Sequence, residues 1–244
     1  MIWTQPEPGR RRPAHTREDI AAAALAIADS EGIDAVTMRR VARQLDAGTM
    51  TLYHYVRTKD DLLALMSDAL LGELLVPEEA LGRGWREALG AIGRRTNATL
   101  ERHPWLMTAE AMRGMRIGPN GMRHFEQSLA AVAELALDDI DKLEVIAMVD
   151  DYVFGYALRR LEDLEHEPKP GEGWPPELMA YIDAQLETGE YPQISSMFSA
   201  DRAETWVRLA EATLDPFRFE RGLERLLDGI EHALRQQGAL PAGG

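Results

Sequence analysis

Thr49, Met50, Thr51, Tyr53, His54 and Tyr55 crowd one short stretch of the chain, with Arg39 shortly before it and Lys59 shortly after. Hydroxyl and imidazole groups both donate and accept hydrogen bonds, so at helical spacing they can read base edges or grip phosphate oxygens. A Lys ammonium supplies a phosphate clamp, and the Met50 thioether offers an apolar contact to a thymine methyl. The competing chemistry for Tyr53, His54 and Tyr55 is a surface aromatic cluster that binds a protein partner. A second group lies downstream, where Asp150 and Asp151 interrupt the apolar run Ile146–Phe154. Asp151 falls in the helical row Met148, Asp151, Tyr152, Gly155, which reads as an inward or interface face. A carboxylate there needs a partner, because an unpaired charge in a dry site is expensive. Arg113, Arg159 or a basic residue of a second copy would serve. The sharper alternative is a cationic, lipophilic ligand held by Asp151, with Trp105, Met112, Phe125, Met148 and Tyr152 around it.

Other chemistries find little support. The chain has no Cys, which excludes disulfides, thiolate nucleophiles and Cys-ligated zinc. His103 has only Glu101 nearby as a co-ligand, and His166-Glu167-Pro168 lacks a second His one helical turn away. There is no Gly-rich phosphate loop and no nucleophile elbow. An enzyme is therefore not expected, nor is a cofactor or a metal. Met107, Met112, Met115 and Met122 suit either a core or an adaptable ligand cavity.

The elements that must hold these residues are helices throughout. Thr16 caps a first helix, with Asp19 at the capping-box position, an apolar row Ile20, Ala23, Ala24, Ile27, Ala28, and Gly32 as its stop. Thr37 caps a short second helix whose face is Met38, Val41, Ala42 and Leu45. A turn at Asp46-Ala47-Gly48 leads to a third helix, roughly 49–56, held inward by Leu52 and Val56 with Thr49, Thr51, Tyr53, His54 and Tyr55 outward. Thr58 caps the fourth, which runs to about Leu75. Two short capped helices joined by a three-residue turn, with a supporting helix on each side, form a helix-turn-helix. Downstream, helical periodicity predicts segments over 85–102, 106–115, 122–136, 141–165, 178–187 and 201–213, and a last helix after Asp215-Pro216. Residues 167–176, rich in Pro and Gly, read as a loop. The fold expected is all-α: a flexible arm (1–14), an N-terminal three-helix DNA-binding domain (15–62), a larger helical ligand-binding and dimerisation domain (63–238) and a tail (239–244).

Charge agrees with that division. The net charge of −14 looks wrong for a DNA binder, yet residues 1–60 carry nine basic against eight acidic residues, and the remainder carries eighteen against thirty-three. Phosphate contacts need local positive charge, not a basic whole. No stretch reaches the length of about 18 apolar residues that a membrane span needs, so no membrane is expected and the cytoplasm is the expected compartment.

The run Thr37-Met38-Arg39-Arg40-Val41-Ala42, then Leu45, then Thr49 to Leu63 with its Leu-Tyr-x-x-Val-x-x-Lys-x-x-Leu core, resembles the TetR family of transcriptional regulators. His103-Pro104-Trp105-Leu106, Gly118-Pro119, Tyr152–Tyr156 and Phe219–Ile230 are similar to the ligand-binding domain of its tetracycline-repressor-like branch. The resemblance implies a homodimer on double-stranded operator DNA, released by a small-molecule inducer, and repression as the usual outcome. It places Arg39, Thr49, Thr51, Tyr53, His54, Tyr55 and Lys59 on DNA, with Tyr53 and Lys59 at phosphates and His54 and Tyr55 near bases. It also implies that ligand changes the separation of the two DNA-reading heads through the fourth helix. Two positions depart from the pattern: Asp46 stands where Gly is usual in the turn, and Gly48 where Ser often caps the next helix. In the last helix Gly222 and Gly229 share a face. Close approach to a partner helix is one reason for them, with the 141–165 helix completing a four-helix bundle about a twofold axis; a tight crossing within the chain is the other.

Overall fold

The Thr16 hydroxyl accepts the Asp19 amide at 3.1 Å and the Asp19 carboxylate accepts the Thr16 amide at 2.8 Å, closing the expected box and starting α1 (Arg17–Glu31). Gly32, at φ 86°, ends it in a backbone region that favours glycine. The Thr37 and Thr58 hydroxyls cap α2 (Met38–Gln44) and α4 (Lys59–Glu73) by accepting the Arg40 and Asp61 amides at 3.1 and 3.0 Å, without the reciprocal bond, and α3 (Thr49–Tyr55) lies between them. The computed structural model describes residues 2–4, 15–108, 118–166, 175–198 and 202–240. Among these no strand occurs. The remaining helices are α5 (Glu78–Leu81), α6 (Trp85–Arg102), α7 (Pro119–Ala131), α8 (Asp139–His166), α9 (Pro176–Glu187), α10 (Pro192–Met197), α11 (Arg202–Leu214) and α12 (Arg218–Gln237).

Two compact units emerge: Met1–Ala157 with Leu223–Gly244, and Leu158–Gly222. In the first, α4 is the hub, packing against α1 on one side and α7 on the other. Ile20, Ile27, Val36, Val41, Leu52, Val56, Leu62 and Met66 are buried together, so the helix-turn-helix and the first half of α4 share one core. Burying each such side chain contributes about 1.5–3 kcal/mol, which decides the inward face of each short helix where propensity alone would not. α4 and α7 are joined by Asp68, whose carboxylate accepts the Asn120 and Gly121 amides, both at 3.0 Å. It therefore satisfies two amides that the first turn of α7 leaves open. Gly118 is needed beside it, because any Cβ there would collide with Asp68 and with the Trp3 ring. At α6, Gly93 lets the helix approach Val149 and Val153 of α8 and Leu223 of α12. Arg86 bonds Glu224 at 2.6 Å, Asp228 at 2.8 Å and Glu231 at 3.2 Å, fixing the start of α6 to α12.

In the second unit the Phe198 and Trp206 rings lie 4.9 Å apart, and Arg218 meets Asp163 at 3.5 Å.

Several expectations are corrected. The flexible arm does not hold at residues 2–4, which form a 3-10 turn with Ile2 only 2% exposed in the core shared by α1 and α4. A lone Ile-Trp pair has no periodicity to reveal that burial. The helix expected from Leu106 to Met115 does not run through Thr108: Pro104–Met107 is one 3-10 turn and Thr108 is extended. α7 starts at Pro119, earlier than the expected Met122, because its amides are capped from α4. The short α5 and α10 lack a full apolar period and went unforeseen. Met112, Arg113, Met115 and most of the 167–176 loop lie outside the described residues.

Candidate nucleic-acid interface and ligand cavity

α3 is presented by α2 across a turn whose geometry hangs on Asp46. That residue sits at φ 51°, the left-handed region where Gly costs least and Asp is tolerated. The Ala47 amide then closes on the Ala42 carbonyl at 2.9 Å. Gly48 gives α3 no side-chain cap, so the helix is held by its buried face. That face is Leu52, Tyr55 and Val56, at the i, i+3, i+4 spacing of one helix side. Tyr55 is 8% exposed, which corrects the expectation that it points outward with its neighbours. What α3 offers to solvent is Met50, 74% exposed, together with Thr51, Tyr53 and His54, while Thr49 is half-buried at the helix start.

The flanking cations divide by role. Arg39 is exposed on α2 and Lys59 on the first turn of α4. Arg40, next to Arg39, turns the other way: its Nε donates to Glu31 at 3.0 Å and its guanidinium to Gln44 at 2.9 Å. The bond to Arg40 holds the Glu31 carboxyl below its ordinary range. Arg43 and Arg57 are exposed as well and widen the basic surface around α3.

The residues expected to surround a ligand are not brought together. Met148 and Asp151 are exposed on α8, and Phe125 is exposed on α7. Tyr152 is half-buried, its ring 6.3 Å from that of Tyr156. The Trp105 indole instead donates to Asp29 at 2.8 Å. Of the adjacent acids it is Asp150 that turns inward, as the exposed and buried rows of α8 are offset from the expected row by one residue. Burial, with the Asp151 charge adding to it, pushes the Asp150 carboxyl up to about 6.

A narrow slot lies elsewhere, between α4, α6 and the Pro104–Met107 turn. Its walls include Ser67, Leu71, Thr96, Leu100, Met107 and Phe154, and its volume is about 60 Å³. The Thr96 hydroxyl is buried without a hydrogen-bond partner. Small-molecule sites commonly measure some 300–1,000 Å³, so a ligand of that size enters only by moving a wall. A wider trough of about 450 Å³ on the α5–α6 surface is open to solvent. Arg94, on its rim, is engaged with Glu224 at 2.7 Å, so the slot is the better candidate for a lipophilic molecule. Sequence reasoning missed it because Ser67, Leu71 and Thr96 carry no mark that separates a cavity wall from a core. Beside it stands a polar cluster in which only His103 is buried: its Nδ1 lies 2.6 Å from the exposed Asp29 and its Nε2 3.4 Å from the half-buried Glu73, whose carboxylate also meets the exposed Arg102 at 2.8 Å.

Comparison with known proteins agrees with this geometry. Residues 20–66 match the family model described as bacterial regulatory proteins of the tetR family, and residues 77–234 match the tetracyclin repressor-like C-terminal domain. Over 244 residues the chain is 34% identical to the HTH-type transcriptional repressor DrrR1 of Streptomyces coeruleorubidus, covering 97% of this chain and 86% of the relative. It is 30% identical over 230 residues to an HTH-type transcriptional regulator of Saccharopolyspora erythraea, covering 94% and 90%. Among solved structures it resembles apo ActR of Streptomyces coelicolor, at 26% identity and a TM-score of 0.62 over 93% of this chain and 99% of that one. ActR in complex with actinorhodin gives 27% identity and a TM-score of 0.61 over 90% and 96%. No described helix is long and apolar enough to cross a membrane. With an N-terminal helix-turn-helix and a helical C-terminal domain each matched along its own length, the chain belongs to the TetR family of DNA-binding transcription regulators.

Proposed function

We propose that a homodimer of this chain represses transcription in the cytoplasm by gripping a two-fold symmetric operator, and that a lipophilic small molecule opening the α4–α6 slot releases it. The observation that carries the reading is α3, whose apolar face is fully used in holding it while its polar face and Met50 stand free of the protein. In this reading residues 15–62 form the DNA-reading head and 63–238 the ligand-binding and dimerisation part. Tyr53 and Lys59 bind phosphate, Arg39 adds a further contact, and Thr49, Met50, Thr51 and His54 lie over base edges. Tyr55 holds α3 in place from the core side.

Dimerisation is assigned to α8 and α12. Ile140, Leu143 and Met148 are exposed along α8, and neither Gly155 of α8 nor Gly229 of α12 would meet any atom within 4 Å if given a Cβ. An exposed apolar face interrupted by open glycines suits a second copy at close range. Asp151 shares that outward face, so it is not the group that selects the inducer. The apolar slot, with the buried Thr96 hydroxyl unpartnered in its wall, suits a largely apolar molecule bearing a hydrogen-bonding group. The relative ActR, bound to actinorhodin, supports an aromatic lipophilic compound of that class as the first probe.

The test begins with selection of operator sequences from random double-stranded DNA, followed by fluorescence anisotropy on the winner. The selected site should be an inverted repeat, bound about 10³-fold or more above random DNA at physiological salt. Actinorhodin and other aromatic polyketides should release it. A selection that returns no preferred sequence would overturn the proposal.

A further inference from the structure

We propose that His103 and Trp105 form a latch on Asp29 that transmits opening of the α4–α6 slot directly to the DNA-reading head; the inference rests on reading that slot as the inducer site. Asp29 lies on α1, which carries the helix-turn-helix core. A single oxygen of its carboxylate meets two rings: His103 Nδ1 at 2.6 Å and the Trp105 indole Nε1 at 2.8 Å. A carboxylate offers only acceptors, so Nδ1 is the protonated, donating nitrogen of His103. The two rings also brace each other edge to face, with centroids 6.1 Å apart. His103 is 6% exposed, and its far side faces Glu73 at the end of α4, which Arg102 holds at 2.8 Å.

The latch is built from the wall of the slot. Trp105 shares its single 3-10 turn, Pro104–Met107, with Leu106 and Met107, both of which line the slot. His103 caps α6 one turn beyond Thr99 and Leu100, which line it too, and Leu74 of the same wall follows Glu73 directly. A slot of about 60 Å³ admits a ligand only by displacement of a wall. The 3-10 turn is the shortest wall element, and moving it takes Trp105 and His103 with it, out of reach of Asp29. α1 then loses its polar hold on the ligand-binding core, with no rigid movement of α4 required. His103 and Trp105 are thus positioning residues, touching neither DNA nor the slot's interior.

Occupancy can be imitated without a ligand by filling the slot from within. Operator affinity would be compared for the full-length Thr96→Phe protein in the native, Asp29→Ala and Asp29→Asn backgrounds, with dimer mass and helicity measured on every variant. Thr96→Phe should weaken operator binding about tenfold in the native background, within the roughly 5–150-fold span of coupling between sites. In Asp29→Ala the same substitution should change affinity by less than threefold. Asp29→Asn, whose amide oxygen still accepts from both rings, should restore most of the response, which a merely structural carboxylate would not predict. Where Thr96→Phe fails to fold, Leu71→Trp fills the slot from α4 and serves instead. An equal loss in all three backgrounds would overturn the latch while leaving the slot as the inducer site. No loss in any background would overturn both.

Discussion

Tyr55 and Tyr53 are two residues apart, and their substitutions should separate cleanly. Tyr55 packs with Leu52 and Val56, so Tyr55→Ala should destabilise the head by roughly 3 kcal/mol, the usual scale for removing a buried aromatic ring. Tyr53 is exposed, and Tyr53→Ala should leave the melting temperature within a degree or two while weakening binding to all DNA sequences alike. Thermal denaturation alongside anisotropy distinguishes the two losses. Asp150 makes a pH prediction. Its carboxyl is raised from 3.8 to about 6, so the folded state holds the proton more tightly than the unfolded chain. Its protonated form therefore supports the fold below pH 3.8, and that support is lost as pH rises through about 6. At about 1.4 kcal/mol per pH unit the loss is on the order of 2–3 kcal/mol. Asp150→Asn should accordingly raise the melting temperature at pH 7.5 and change it little at pH 4; an equal change at both would remove the burial argument. Reading the sequence chose Asp151 over Asp150 because helical rows one residue apart are nearly indistinguishable until a neighbour selects the inner one.

At the scale of elements, the helix-turn-helix was legible because its determinants are local. Thr16, Thr37 and Thr58 cap, Gly32 stops, Asp46 turns, and each acts within four residues of itself. What escaped was set from a distance. Asp68 caps α7 across 52 residues of chain, and Ile2 finds its place only once α1 and α4 have made one. Ile2→Asp should therefore lower stability by several kcal/mol, since it buries a charge in that core. If the melting temperature stays unchanged, the first turn is an ornament on the surface. The dimer faces are also a matter of elements. Gly229 has open space on its own chain, so Gly229→Leu fits a monomer and should hinder only a partner. Light scattering should show a shift toward monomer; a dimer of unchanged stability would move the interface off that side of α12.

For the whole molecule, the separation of charge matters more than its sum. A body with thirty-three acids carries a head that is nearly neutral, so nonspecific attraction to DNA is confined to the surface around α3. Operator affinity should fall steeply with salt, each phosphate contact adding about 0.9 to the slope of log K against log salt. Lys59→Ala should reduce that slope by about two for a dimer, one contact per head. The small slot has its own consequence, and it concerns time. An inducer too large for the slot as it stands cannot be captured faster than the wall swings away, whatever its concentration. Mixed rapidly with an aromatic polyketide, the protein should show a binding rate that climbs at first and then levels off, and the plateau should read out directly how often the Pro104–Met107 turn lets go.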